Sequence, residues 1–184
     1  MTKDQALKIL NEHIKNQNLI RHGIAVEAIM EALAEKFGQD KELWGLTGLL
    51  HDLDWEETKD DPSKHSEKAK EILSATDLPK EAINAIYVHN YMHGVKPETL
   101  LEKALYCVEE LSGLVTAAAL VQPDKKLASV SIESLLKKFK QKSFAAGVNR
   151  DLILLSKEYL GLELPEIAQI ALDAMKAKAS DIGL

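Results

Sequence analysis

Apolar residues recur at intervals of three and four along most of the chain, and strict alternation is scarce. That period is helical. Ala6, Leu7, Leu10 and Ile14 form one stripe over residues 3–16; Val26, Ile29, Met30, Leu33 and Phe37 form a second, closed by Gly38 as a helix C-cap. Residues 41–53 predict a shorter helix, apolar nearly all round, as suits a central position. The polar stretch ETKDDPSK interrupts the pattern. Pro62 then predicts a helix start with His65 in its first turn, and Pro79 predicts another over KEAINAIYVHNYM, with His89 near its C-terminal end. Beyond Pro97 a long apolar segment, ETLLEKALYCVEELSGLVTAAALV, runs to Pro123. SIESLLKKFKQKSFAAGV, NRDLILLSKEYLG and a helix from Pro165 to about Ala179 complete the chain. With no repeat and no linker-like tract, the expectation is one all-α bundle of roughly eight helices over residues 1–184.

A few polar residues break the greasy stripes. In GLLHDLD, residues 48–54, His51 and Asp52 sit among leucines, and burying an imidazole beside a carboxylate is costly unless each is paired or bound. A structural pair would satisfy them, and so would a metal ion. His22 lies four residues before Val26, on the inward face of its helix, and His89 is on an inward stripe. His13 and His93 read as packed or surface residues. Asp52 has two oxygens, so it could bridge two ions while His51 serves one. The single cysteine, Cys107, excludes an intrachain disulfide and a cysteine-built cluster. Histidine and carboxylate ligands suit zinc, manganese, iron, cobalt or nickel.

Charge narrows the partners. The net charge of −6 argues against a general nucleic-acid binder, so nucleic acid is not the expected partner. The start MTKDQALKIL lacks a leader layout and no apolar run approaches membrane length, which predicts a cytoplasmic protein without membrane contact. Residues 123–150 differ: seven basic residues against Asp124 and Glu133 leave a local charge of +5 and −11 elsewhere. One reading is a solvated helix face. The other has lysines and an arginine of this segment, Lys125, Lys138, Lys142 and Arg150, holding substrate phosphates. No glycine-rich phosphate loop is present.

The order RHGIAVEAIM, GLLHDLD, KHSEKAKEIL, YVHN resembles the HD-domain superfamily of metal-dependent phosphohydrolases. Blocks spread over residues 21–150, among them WGLTGLLHDLDWE, LSGLVTAAALVQPDK and KKFKQKSFAAGVNR, are similar to a compact bacterial HDIG-type subgroup. The resemblance implies a helical bundle with the metal between helices: a metal-site core of about 18–122, with basic and C-terminal helices over 123–184. It implies His22, His51 and Asp52 as the first three ligands. Glu109 stands where the family carries an aspartate, with Glu110 as the neighbouring candidate. His65 and His89 match the extra histidines of two-metal members, with Asp52 bridging, and Asn90 stands where some relatives carry one more histidine. Asp54 and Glu56 fall near the cleft without an assigned role. The implied activity is hydrolysis of a phosphate ester of a nucleotide or small phosphorylated metabolite. It would use one or two divalent ions (Mn, Fe, Co, Ni, Zn or Mg), with Asp52, His65 and His89 at the reacting centre. The alternative is a non-catalytic module that senses a nucleotide or metal, which the glutamate at 109 favours.

Overall fold

Helices begin in this chain where a side chain can satisfy the free amides of a first turn. Thr2 and Gln5 form a capping box for α1 (Lys3–His13), Asn16 caps α2 (Gln17–Phe37) and Asp40 caps α3 (Lys41–Leu50). The chain continues through α4 (Trp55–Thr58), α5 (Glu67–Ser74), α6 (Lys80–His89) and α7 (Leu100–Leu120), the last opened by a Thr99–Glu102 capping box. It ends with α8 (Ile132–Phe139), α9 (Arg150–Leu154), α10 (Ser156–Leu160), α11 (Leu164–Ala177) and α12 (Ala179–Ile182). This computed structural model describes residues 1–184, and it contains no strand. The all-α expectation holds. Eight helices have eight or more residues, and α4, α9, α10 and α12 are single turns of four or five.

Four boundaries differ from the pattern reading. Pro62 opens only a 3-10 turn, Pro62–Lys64; His65 is extended and Ser66 takes a left-handed φ of 68°, so His65 precedes α5 instead of riding its first turn. α3 stops at Leu50 and residues 51–54 are turns, which frees His51 and Asp52 from a rigid 100° spacing. α6 stops at His89 because Asn90 leaves the helix and caps the following turn through its side chain. SIESLLKKFKQKSFAAGV is helical only to Phe139. Beyond it the Arg150 guanidinium donates to the carbonyls of Phe139, Gln141 and Phe144, so the turns at 140–149 find a side-chain partner where a helix would have used its own backbone.

α2 and α7, 21 residues each, pack on each other. α3 is buried from Trp44 to Leu50 and lies against α2 at backbone range. Two glycines permit this. A Cβ on Gly23 would stand 2.8 Å from the Leu49 carbonyl oxygen, and one on Gly48 would stand 3.0 Å from the Glu27 backbone. The approach places the start of α2, with His22, against the end of α3, with His51. Gly23→Ala is therefore expected to push the helices apart at a cost of roughly 1–3 kcal/mol, read as a lower urea midpoint. An unchanged midpoint would mean the contact is loose. No helix is long and apolar enough to cross a membrane.

Candidate metal centre

Four histidines, His22 on α2, His51 just past the end of α3, His89 at the end of α6 and His65 in the loop before α5, turn their Nε2 atoms toward the carboxylate of Asp52. His22 Nε2 and His51 Nε2 are 3.1 Å apart, and they lie 3.6 and 3.5 Å from Asp52 Oδ2. His65 Nε2 and His89 Nε2 are likewise 3.1 Å apart, at 3.2 and 3.9 Å from Asp52 Oδ1. These are two trios that share one aspartate. Donors about 2.1 Å from a single ion, at angles from about 90° to the tetrahedral value, lie about 3.0–3.4 Å apart. The shorter spacings in both trios fall in or near that range.

The other ring nitrogens explain the orientation. His51 Nδ1–H donates to the Gly48 carbonyl at 2.7 Å, and His89 Nδ1–H donates to the Ile86 carbonyl at 2.5 Å. Ser112 donates to the Glu109 carbonyl and accepts from His22 Nδ1–H at 3.1 Å. His65 Nδ1–H donates to Asp54 Oδ1 at 2.7 Å, and Asp54 Oδ2 accepts from the Ala69 amide at 2.9 Å. A neutral imidazole protonated on Nδ1 has a bare lone pair on Nε2. With the Nδ1 atoms of His22 and His51 both donating, a cation between their Nε2 atoms, 3.1 Å apart, would be held by two such lone pairs. Anchoring the far nitrogen of each histidine is how proteins orient metal ligands.

The electrostatics agree. Burial and the neighbouring His51 lower the His22 pKa from 6.5 to about 4, and burial drives His89 well below 6.5, so both are neutral near pH 7. Burial opposes the Asp52 charge, but His51, His65 and His22 outweigh it and hold the carboxyl far below the usual carboxylate range. His65 is the exception. Burial disfavours its charge, yet hydrogen bonds to Asp52 and Asp54 raise its pKa from 6.5 to about 9.

The HD domain family matches residues 19–120, more than half of the chain and all of its clustered histidines. The chain belongs to the HD-domain family. Members are generally metal-dependent hydrolases that bind divalent ions, and this HD domain has two donor groups that could hold them, His22–His51–Asp52 and Asp52–His65–His89. Its relatives include Ribonuclease Y of Aliarcobacter butzleri, 33% identical over 94 residues, which are 51% of this chain and 18% of that protein. Ribonuclease Y of Sulfurovum sp. is 31% identical over 94 residues, again 51% and 18%. Ribonuclease Y of Helicobacter acinonychis is 25% identical over 173 residues, covering 91% of this chain and 32% of its own length. The chain thus spans a third or less of these relatives. No solved structure matches it.

The remaining residues singled out in the sequence fall into place around this HD centre. Glu109 lies at its edge, with Oε1 3.9 Å from His22 Nε2, outside either trio; burial, with Glu110 and Asp52 nearby, pushes its carboxyl well above the usual range. Glu110 accepts from the Asn149 amide. A cavity of about 310 Å³ beside the second trio is lined by Asp52, Trp55, His65, Tyr91, Glu109 and Glu110, among others. Lys125, Lys138, Lys142 and Arg150 do not line it: Arg150 is occupied by backbone carbonyls, and Lys138 sits 4.3 Å over the Phe144 ring. Asn90 donates to the Pro62 and His65 carbonyls and so fixes the His65 loop. His93, stacked on Tyr87, supports the same loop through the His65 carbonyl, and Glu56 holds the Asn16 amide. Two residues that the sequence reading left without a role matter here, Asp54 and Ser112. Asp54 carried a signal: it stands two positions after Asp52 in a run that is otherwise leucine and tryptophan.

Proposed function

We propose that this HD domain hydrolyses phosphate esters of a nucleotide or small phosphorylated metabolite with two divalent ions. The observation that carries this reading is the pair of Nε2-to-Nε2 contacts at 3.1 Å, one on each oxygen of a shared aspartate. His22, His51 and Asp52 would hold one ion, with Glu109 at its edge; Asp52, His65 and His89 would hold the other. A divalent ion there supplies Lewis acidity toward water and toward the phosphoryl oxygens. The chain's own residues do the rest. Asp54 keeps the His65 ring in register, and Trp55, edge-on to His65 at 4.9 Å between ring centres, shields it from bulk water. Tyr91 and Met92, half exposed at the cavity rim, offer apolar surface to the organic part of a substrate. The name of the relatives, Ribonuclease Y, brings short RNA into the substrate class despite the acidic net charge.

The test is a screen of nucleoside monophosphates, sugar phosphates and short RNA with the protein loaded with Mn²⁺, Ni²⁺, Co²⁺ or Zn²⁺. Hydrolysis lost to a chelator and restored by metal is the expected result; inert protein with every metal would leave the sensor reading. Glu109 separates the two readings further. Replacing it by aspartate withdraws the carboxylate by about 1.5 Å, one carbon–carbon bond. On the view that the site is built around the longer arm, Glu109→Asp lowers kcat/KM by roughly tenfold or more, since metal sites tolerate small errors in ligand distance only. A rise in activity would mean that the glutamate impairs the site.

A further inference from the structure

Two cavities adjoin the ligand trios, and they differ in charge. The one beside His65 and His89 is lined by Asp52, Glu109 and Glu110, with no lysine or arginine. The other, of about 410 Å³, meets the centre at His22 and is lined by Asn18, Arg21, Thr116, Leu120 and residues 182–184, with the Leu184 carboxylate as its one acidic group. Its one basic side chain besides His22 is Arg21, adjacent to His22 on α2 and exposed. Gly183, at a φ of 79°, makes room for it: a Cβ there would stand 3.0 Å from the guanidinium carbon. Arg21 enters no ion pair and no hydrogen bond, which leaves its five N–H donors free, and Asn18 and Thr116 line the same cavity.

We propose that this cavity is an anion subsite of the HD centre, in which Arg21, with Asn18 and Thr116, binds a second phosphate of the substrate. The proposal rests on the phosphohydrolase reading and orients the substrate within it. The first cavity offers a second phosphate no lysine or arginine, and its Trp55, Tyr91 and Met92 suit an apolar or aromatic group. A second phosphate is thereby directed past His22 to Arg21, whose planar fork matches a phosphate with two parallel hydrogen bonds. The group could be the terminal phosphate of a nucleoside diphosphate or the neighbouring phosphate of an oligonucleotide. An ester with a single phosphate leaves Arg21 unused.

Binding tests the subsite apart from catalysis. Pyrophosphate titrated calorimetrically into the metal-free protein is expected to bind roughly tenfold more weakly to Arg21→Gln than to wild type, with Arg21→Lys between them because it keeps the charge and loses the fork. Circular dichroism melts of both variants verify folding. Equal affinity in folded wild type and Arg21→Gln overturns the subsite, whatever the loaded protein hydrolyses. With Mn²⁺-loaded protein, kcat/KM for ADP and for 5′-phosphorylated diadenylate is then measured relative to AMP. The ratio that collapses in Arg21→Gln identifies the source of the second phosphate, and two unmoved ratios also overturn the proposal. A protein inert toward all three esters that still binds pyrophosphate through Arg21 removes the hydrolase reading and keeps the anion site.

Discussion

Asp52→Ala is expected to abolish metal-dependent hydrolysis, a loss of roughly a thousandfold or more, because on the proposed two-ion reading this one residue would serve both positions. Its Oδ2 belongs with His22 and His51, and its Oδ1 with His65 and His89. Removing it would leave each proposed position with two imidazoles, and only Glu109, at the edge of the first, to offset a divalent ion. None of the four histidines can compensate, since the Nδ1 of each is already committed to a partner. The fold should survive, because the contacts of Asp52 are to these imidazoles and its side chain is 16% exposed. Steady-state hydrolysis by a folded Asp52→Ala protein, compared with wild type at saturating metal, checks this. Retention of more than a few per cent of wild-type activity would show that the reacting centre lies elsewhere.

Asp54→Asn should be the most destabilising of these changes. Asp54 is fully buried and divides its two oxygens between His65 Nδ1–H and the Ala69 amide. An asparagine has one oxygen for two donors, so one buried N–H is left facing an NH₂ group. Breaking a buried charged pair in this way costs roughly 3 kcal/mol. The pH dependence carries a second signature. In the metal-free protein burial works against a charged His65, but Asp52 and Asp54 raise its pKa from 6.5 to about 9. The folded state therefore holds a proton that the unfolded chain releases between those values, and stability falls as pH rises through that window. The contribution is whole below pH 6.5 and gone above about 9. Glu109, whose carboxyl is raised by burial and by its acidic neighbours, acts with the same sign. His22 and His89, lowered by burial, act with the opposite sign, and their contribution is complete once pH has risen past the ordinary histidine value of 6.5. Urea midpoints in EDTA should therefore decline across the upper part of the window, toward pH 9, in wild type, and this decline should flatten in His65→Gln. A wild-type midpoint that stays level across the window would contradict the assigned ion pair.

The sequence carried the helical class because long amphipathic stripes such as Val26 to Phe37 and Leu100 to Leu120 report burial directly. It carried the clustered histidines for a related reason: polar residues on apolar stripes need partners, and His22, His51 and His89 lay on such stripes or at their ends. Local breaks were less legible. His65 sits in a loop whose shape depends on Asn90 and His93, about 25 residues away in the chain, and no local pattern encodes that tie. The basic segment is the opposite case. Charge density is visible in a sequence, but whether Arg150 faces a cleft or its own backbone depends on where α8 ends. Arg21 showed the converse, since a lone arginine before a histidine has no pattern until α12 closes a cavity beside it.

Metal stoichiometry decides whether Asp52 joins a pair of ion positions. Calorimetric titration of the metal-free protein with Mn²⁺, verified by elemental analysis after desalting, is expected to give two ions per chain in wild type. His22→Ala and His65→Ala should each give one. A wild-type stoichiometry of one that is unaffected by His65→Ala, or no bound metal at all, would contradict that pair.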